Sequence, residues 1–161
     1  MTTIDFYILT SNKAPRHNLF ACKLTEKIYK SGHSLFINTR NLKQSEQLDT
    51  MLWTFRETSF VPHSLVQSNP IDTKTDSDCT NDKDGNNNIK ENPIQIAFAT
   101  HPNEQHTHGV LLNLADQVPS FFSSFPRVAE IVSQTGDQKN NARNRFKYYR
   151  DRGYKINTHN I

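Results

Sequence analysis

Cysteine is scarce in this chain of 161 residues: only Cys22 and Cys79 occur. Cys22 falls in a helical pattern and Cys79 in a polar stretch, so a disulfide-stapled secreted fold is not expected and a reducing cytoplasm is. Long apolar runs are missing as well. No window approaches the ~18 apolar residues that a membrane span needs, and Met1 to Leu9 lacks the basic-then-apolar pattern of an export signal. A soluble, unexported protein without membrane contact is the expectation. Glycine is also rare, five in all, and none lies between Ile4 and Ala21, where a first strand hands over to its helix. The glycine loop that cradles phosphates is therefore missing from its usual place. Carboxylates are scattered, with no spacing that pairs two of them for acid–base work. No cofactor and no intrinsic activity are expected.

What is present fits one α/β domain over residues 1–161, with a hydrophobic fraction of 34% and a polar surplus that is local. Ile4 to Leu9 reads as a strand, and Pro15 suits the first turn of a helix whose stripe is Phe20, Leu24 and Ile28, closed by Ser31-Gly32. Leu35 to Asn38 is the next strand. Strand, helix, strand implies a right-handed parallel crossover. Leu48, Met51, Leu52 and Phe55 make the stripe of a second helix, with Asn41 as its cap. Gln67 to Asn92 is dominated by Asn, Asp, Lys, Thr and Ser and reads as a disordered loop. Beyond it, Ile94, Ile96 and Phe98 alternate with Gln95, Ala97 and Ala99, and further strands fall at Val110–Leu114 and Val128–Val132. Phe121, Phe122 and Phe125 mark a short helix bounded by Pro119 and Pro126. A closing helix spans about Gln138 to Arg152, Gly153 ends it, and Tyr154 to Thr158 supplies an edge strand. The expected fold is a three-layer sandwich with a mostly parallel sheet, akin to nucleotide-binding folds.

Net charge is only +3, yet seven basic residues stand against Asp151 between Lys139 and Lys155. The C-terminal region is an electropositive pole. On the closing helix Ala142, Phe146 and Tyr149 form the apolar stripe. Lys139, Arg143, Lys147 and Arg150 run along one flank of it, and Arg145 and Arg152 along the other. A charge run is most often a solvated face. Here the cations flank an aromatic stripe closely and follow a strand ending in Ile131-Val132, which argues for an apolar pocket rimmed by Arg and Lys. Such a pocket suits an acidic peptide ending in a hydrophobic residue. Direct binding of single-stranded nucleic acid, with Phe146 and Tyr149 stacking on bases, is the alternative.

Two other groups merit weighing. His101, His106 and His108 lie in a loop-like segment without a partnering Cys or carboxylate at ligand spacing, so a metal is not expected. Trp53 lies about 140° round its helix from Leu48 at ~100° per residue, off the apolar stripe. Random aromatics are more often core filler. An exposed Trp53 beside the turn Ser59-Phe60-Val61-Pro62-His63, where Pro62 holds Val61 extended, would instead serve as an interface hot spot.

Three blocks carry a family resemblance: Phe6-Tyr7-Ile8-Leu9; Leu48-Asp49, Leu52-Trp53 and Ser59-Phe60-Val61-Pro62-His63; and Ala142-Arg143-x-Arg145-Phe146-Lys147-x-Tyr149-Arg150 with Gly153 and Asn157-Thr158 behind it. Together they resemble the chi subunit of bacterial DNA polymerase III over nearly the whole chain. That resemblance implies a non-catalytic adaptor that binds the psi subunit, and through psi the clamp loader, on one surface. On another it implies binding to the acidic C-terminal tail of single-stranded DNA-binding protein, so that DNA is reached only indirectly. It assigns Trp53, Phe60, Val61 and Pro62 to psi, and Val132, Lys139, Arg143, Phe146, Lys147 and Gly153 to the tail. The chain departs from the family pattern in its longer, more polar Gln67–Asn92 segment and in Phe146, where Tyr is common.

Overall fold

Leu35-Phe36-Ile37 and Val110-Leu111-Leu112 are apolar without alternation, so neither side of these short strands can face water. Strands of that kind belong in a parallel sheet covered by helices on both faces. The computed structural model describes residues 1–10, 15–58, 61–66, 93–102 and 107–161. Its strands are β1 (Thr3–Ile8), β2 (Leu35–Asn38), β3 (His63–Val66), β4 (Ile94–Ala97), β5 (Val110–Asn113), β6 (Arg127–Val132) and β7 (Lys155–Asn160). They lie in the order β3-β4-β2-β5-β6-β1-β7, and every pairing is parallel. The helices are α1 (Pro15–Lys30), α2 (Leu42–Thr54) and α3 (Gly136–Asp151), with a 3₁₀ turn at Phe122–Ser124.

Connection handedness sorts the helices onto two faces. The crossovers through α1 and α2 move the chain one way along the sheet and the crossover through α3 moves it the other way, so right-handed connections put α3 opposite to α1 and α2. The two cores follow. Leu35, Ile37, Ile94, Ile96, Leu112 and Ile131 face Ala21, Leu24, Leu48 and Leu52 of α1 and α2. Ile4, Phe6, Phe36, Leu111 and Val128 face Ala142 and Tyr149 of α3, with Phe122 and Phe125 of the 3₁₀ turn. Full burial of Leu48 and Leu52 contributes about 1.5–3 kcal/mol each. This is the expected three-layer sandwich, and the sheet is parallel throughout the described residues.

Local signals hold at the helix ends. Asn41 caps α2, its side-chain oxygen accepting from the Gln44 N–H at 2.8 Å. Gly153, at φ 78°, takes the left-handed conformation that ends α3. Three readings need correction. β3 has no counterpart in the sequence analysis, because four residues mixing polar and apolar side chains show no usable period; its pairing with β4 makes it a strand. β4 stops at Ala97 although the alternation runs on to Ala99, because Ala99 turns to φ 51° and leaves Phe98 exposed. Arg145 does not flank the apolar stripe of α3; it sits in the stripe, as described below. The Gln67–Asn92 segment lies outside the described residues.

Candidate docking sites and the family

α3 presses its aromatic side chains onto β1 and β6. The Phe146 ring meets Phe6 edge-on at 5.3 Å between centroids, and Phe6 lies 6.1 Å from Tyr149. One turn before Phe146, the inward position is Ala142, whose methyl is too short to reach across to the sheet. An apolar pocket of about 190 Å³ remains there, lined by Phe6, Ile8, Val132, Ala142 and Phe146 and edged by Gln134, Lys139 and Arg143. Val132, Lys139, Arg143 and Phe146, singled out from the sequence, thus come together around one hollow. Lys147 is exposed one turn beyond Arg143, and Gly153 closes the far end of the helix; neither lines the hollow. Among the described residues no carboxylate pairs with Lys139, Arg143 or Lys147. A larger hollow of about 580 Å³ between α1 and α2 is lined by Asn18, Lys43, Glu46, Gln47, Thr50 and Met51, so that Met51 is its one apolar residue.

The inward face of α3 also carries charge. Arg145 is buried, and its Nε donates to Glu130 Oε2 at 2.8 Å; Tyr149 donates to Glu130 Oε1 at 2.8 Å and Asn113 to the same oxygen at 2.9 Å. Asn38 continues the chain of bonds to Asn113 at 3.1 Å. Burial pushes the Glu130 carboxyl above its usual range, opposed by Arg145 and by the bonds from Asn113 and Tyr149. Burial and the Glu130 charge likewise push the Tyr149 phenol up. The reason for the misplacement of Arg145 is geometric: it lies three residues after Ala142 and four before Tyr149, so helical periodicity puts it on their face. A lone Glu within Val128–Val132 is the signal that could have shown its partner.

Trp53 stands half-exposed at 49%, off the buried stripe of Leu48 and Leu52, as its angular offset predicts. Its ring lies 4.8 Å from that of His63, and the His63 ring bonds to Asp49 Oδ1 at 2.9 Å and to the Val61 carbonyl at 2.7 Å. Val61 is buried and Pro62 half-buried. Phe60 lies outside the described residues. Cys22 is core, and burial pushes its thiol up to about 12, which makes it a poor nucleophile. His101 packs edge-on against Phe121 at 5.4 Å. His106 is outside the described residues, and within them no three His, Cys, Asp or Glu side chains are grouped to hold a metal. No helix among them is long and apolar enough to cross a membrane.

These features define an α/β protein built on the crossovers of nucleotide binders, without their glycine loop and with an apolar hollow edged by cations at the last helix. The chain belongs to the family described as DNA polymerase III chi subunit, HolC, whose profile matches residues 1–157. It is 29% identical to the DNA polymerase III subunit chi of Pseudomonas aeruginosa, over 100% of this chain and 98% of the relative. It is 29% identical to that of Haemophilus influenzae (99% and 97%) and 27% identical to that of Escherichia coli (98% and 97%). Among solved structures, T4 UvsW matches with a TM-score of 0.62 at 9% identity, over 99% of this chain and 41% of that one, a likeness of fold alone.

Proposed function

We propose that this subunit of the DNA polymerase III assembly is a non-catalytic adaptor whose α3 pocket receives the acidic C-terminal tail of single-stranded DNA-binding protein. On the opposite face, the Trp53 surface receives the psi subunit, which links the chain to the clamp loader. The observation that carries the reading is the hollow between Ala142, Phe146, Val132 and Phe6, edged by Lys139 and Arg143. An apolar terminal side chain fills it while its carboxylate meets Arg143, and Lys147 and the other cations of α3 attract the acidic residues before it. Loss of the usual Tyr hydroxyl at Phe146 leaves that packing unchanged.

Direct binding of single-stranded DNA has less support. Tyr149 is fully buried and cannot stack on a base, and the Tyr148 face is covered by Arg152 at 3.5 Å.

Binding of a fluorescent acidic tail peptide and of a fluorescent oligonucleotide tests both readings. The peptide is expected to bind, more weakly as salt rises, and Arg143→Ala with Lys147→Ala is expected to reduce its affinity roughly tenfold or more. Trp53→Ala is expected to abolish co-purification with psi and leave the peptide affinity unchanged. Salt-insensitive peptide binding that survives the double substitution would remove the basis for the site, and tight oligonucleotide binding without any protein partner would favour the nucleic-acid reading.

A further inference from the structure

We infer that His63 is the positioning residue of the Trp53 surface, holding the indole in its docking orientation as an imidazolium clamped between Asp49 and the Val61 carbonyl. The inference rests on the reading of Trp53 as a docking residue. The His63 side chain is fully buried, 0% exposed, although it lies directly beneath a half-exposed Trp. Both ring nitrogens are engaged: Nε2 with Asp49 Oδ1 at 2.9 Å and Nδ1 with Val61 O at 2.7 Å. A carbonyl oxygen accepts only, and so does an ionised carboxylate. Imidazolium satisfies both contacts by donating twice, whereas neutral imidazole satisfies one and turns a lone pair toward an oxygen at the other. The ring is thus fixed at two points and cannot flip or tilt without losing a bond.

The arrangement bears on Trp53 through the helix. Asp49 and Trp53 are four residues apart on α2, so they share a face, and His63 at the start of β3 reaches both. The imidazole and indole centroids are 4.8 Å apart with planes at 48°, within the range at which a cation is attracted by an aromatic ring. An aromatic anchor already held in place loses less freedom on binding, so the pair favours association without touching the partner. Of the elements packed on β3, α2 brings Asp49, while β4, with the sequence Ile-Gln-Ile-Ala, brings no ionisable side chain. Glu46, one turn before Asp49, lines the hollow toward α1 instead.

Trp53 is the only tryptophan of the chain, so its fluorescence reports on this one site. Imidazolium quenches a neighbouring indole more strongly than imidazole does. In the intact, partner-free protein, emission is expected to be quenched relative to His63→Phe, which keeps the packing and removes the imidazole. Asp49→Asn, which loosens one of the two bonds that hold the ring, is expected to shift emission toward that of His63→Phe. His63→Phe and Asp49→Asn are each expected to weaken psi binding roughly five- to tenfold with tail-peptide affinity and circular dichroism unchanged. Emission in the wild type as strong as in His63→Phe, or unaltered psi affinity in both variants, would overturn the inference. Failure of the wild-type protein to bind psi would defeat the docking reading, and the fluorescence arm would still decide whether His63 clamps Trp53.

Discussion

Arg145 shows at the scale of one residue how a charge is accommodated inside a helix–sheet interface. With Glu130 it forms an ion pair in which both side chains are nearly inaccessible, at 7% and 0% exposure, and the remaining carboxylate valences go to Asn113 and Tyr149. A buried pair of this kind is close to neutral for stability while intact, because desolvation offsets attraction, yet losing one member strands the other. Arg145→Ala is accordingly expected to destabilise the fold by about 3–5 kcal/mol in urea unfolding. Replacing both members together, Glu130→Gln with Arg145→Met, is expected to cost clearly less than Arg145→Ala alone. Equal losses would show that packing, and not the stranded carboxylate, sets the effect. Arg143, two positions earlier, points outward beside the pocket, so its removal is expected to affect binding and leave stability nearly unchanged.

At the scale of elements, the start of β5 depends on a close approach. Gly109 lies against the Ser34 carbonyl and hydroxyl so tightly that a Cβ there would overlap both, while the Val110 N–H donates to Ser34 O at 2.9 Å. Gly109→Ala must therefore push β5 away from β2 in the middle of the sheet, with an expected loss of about 1–3 kcal/mol by thermal or urea unfolding. Gly136→Ala, where a Cβ would meet nothing within 4 Å, serves as the control and is expected to be neutral or stabilising. Helices were legible where a stripe repeats, as at Leu48, Leu52 and Phe55, or where a cap precedes it, as at Asn41. β3 was not, because its identity as a strand comes from β4, beyond a long stretch of intervening chain. The same dependence governs the Trp53 site: the Leu52-Trp53 and Val61-Pro62-His63 blocks are visible in the sequence, but the bond from His63 to Asp49 exists only once β3 is docked beside α2.

For the whole molecule, buried ionisable groups set the response to acid. His17, near the start of α1, has its imidazole held below the ordinary 6.5 chiefly by burial, with Arg40 and Arg145 adding to the effect. As pH falls below 6.5 the unfolded chain takes up a proton that the folded chain refuses, so stability declines with acidification. At Asp5, burial alone would raise the carboxyl, but bonds from Arg127, Asn157 and His159 outweigh it and hold the group below 3.8. Its contribution is present above that value and lost as pH falls through the depressed one. Glu130, raised by burial, acts in the opposite sense: above 4.5 the unfolded chain releases a proton that the folded chain keeps, and stability falls with rising pH until the raised value is passed. Urea unfolding of wild type and His17→Gln across the acid range is expected to show a shallower decline below pH 6.5 in the variant. Parallel curves would remove His17 from the account.

The sequence by itself determined the class of architecture, through hydrophobic periodicity and missing glycines, and the family, through the three blocks of residues that resemble it. It also singled out Val132, Lys139, Arg143 and Phe146 of the pocket, because a run of cations beside aromatics is a local property. Only the tertiary structure decided strand order, the presence of β3, the inward turn of Arg145 onto Glu130 and the gap that Ala142 leaves against Phe6 and Ile8. Each of those depends on which side chain stands opposite across the sheet–helix interface, and a one-dimensional pattern carries no record of what faces it.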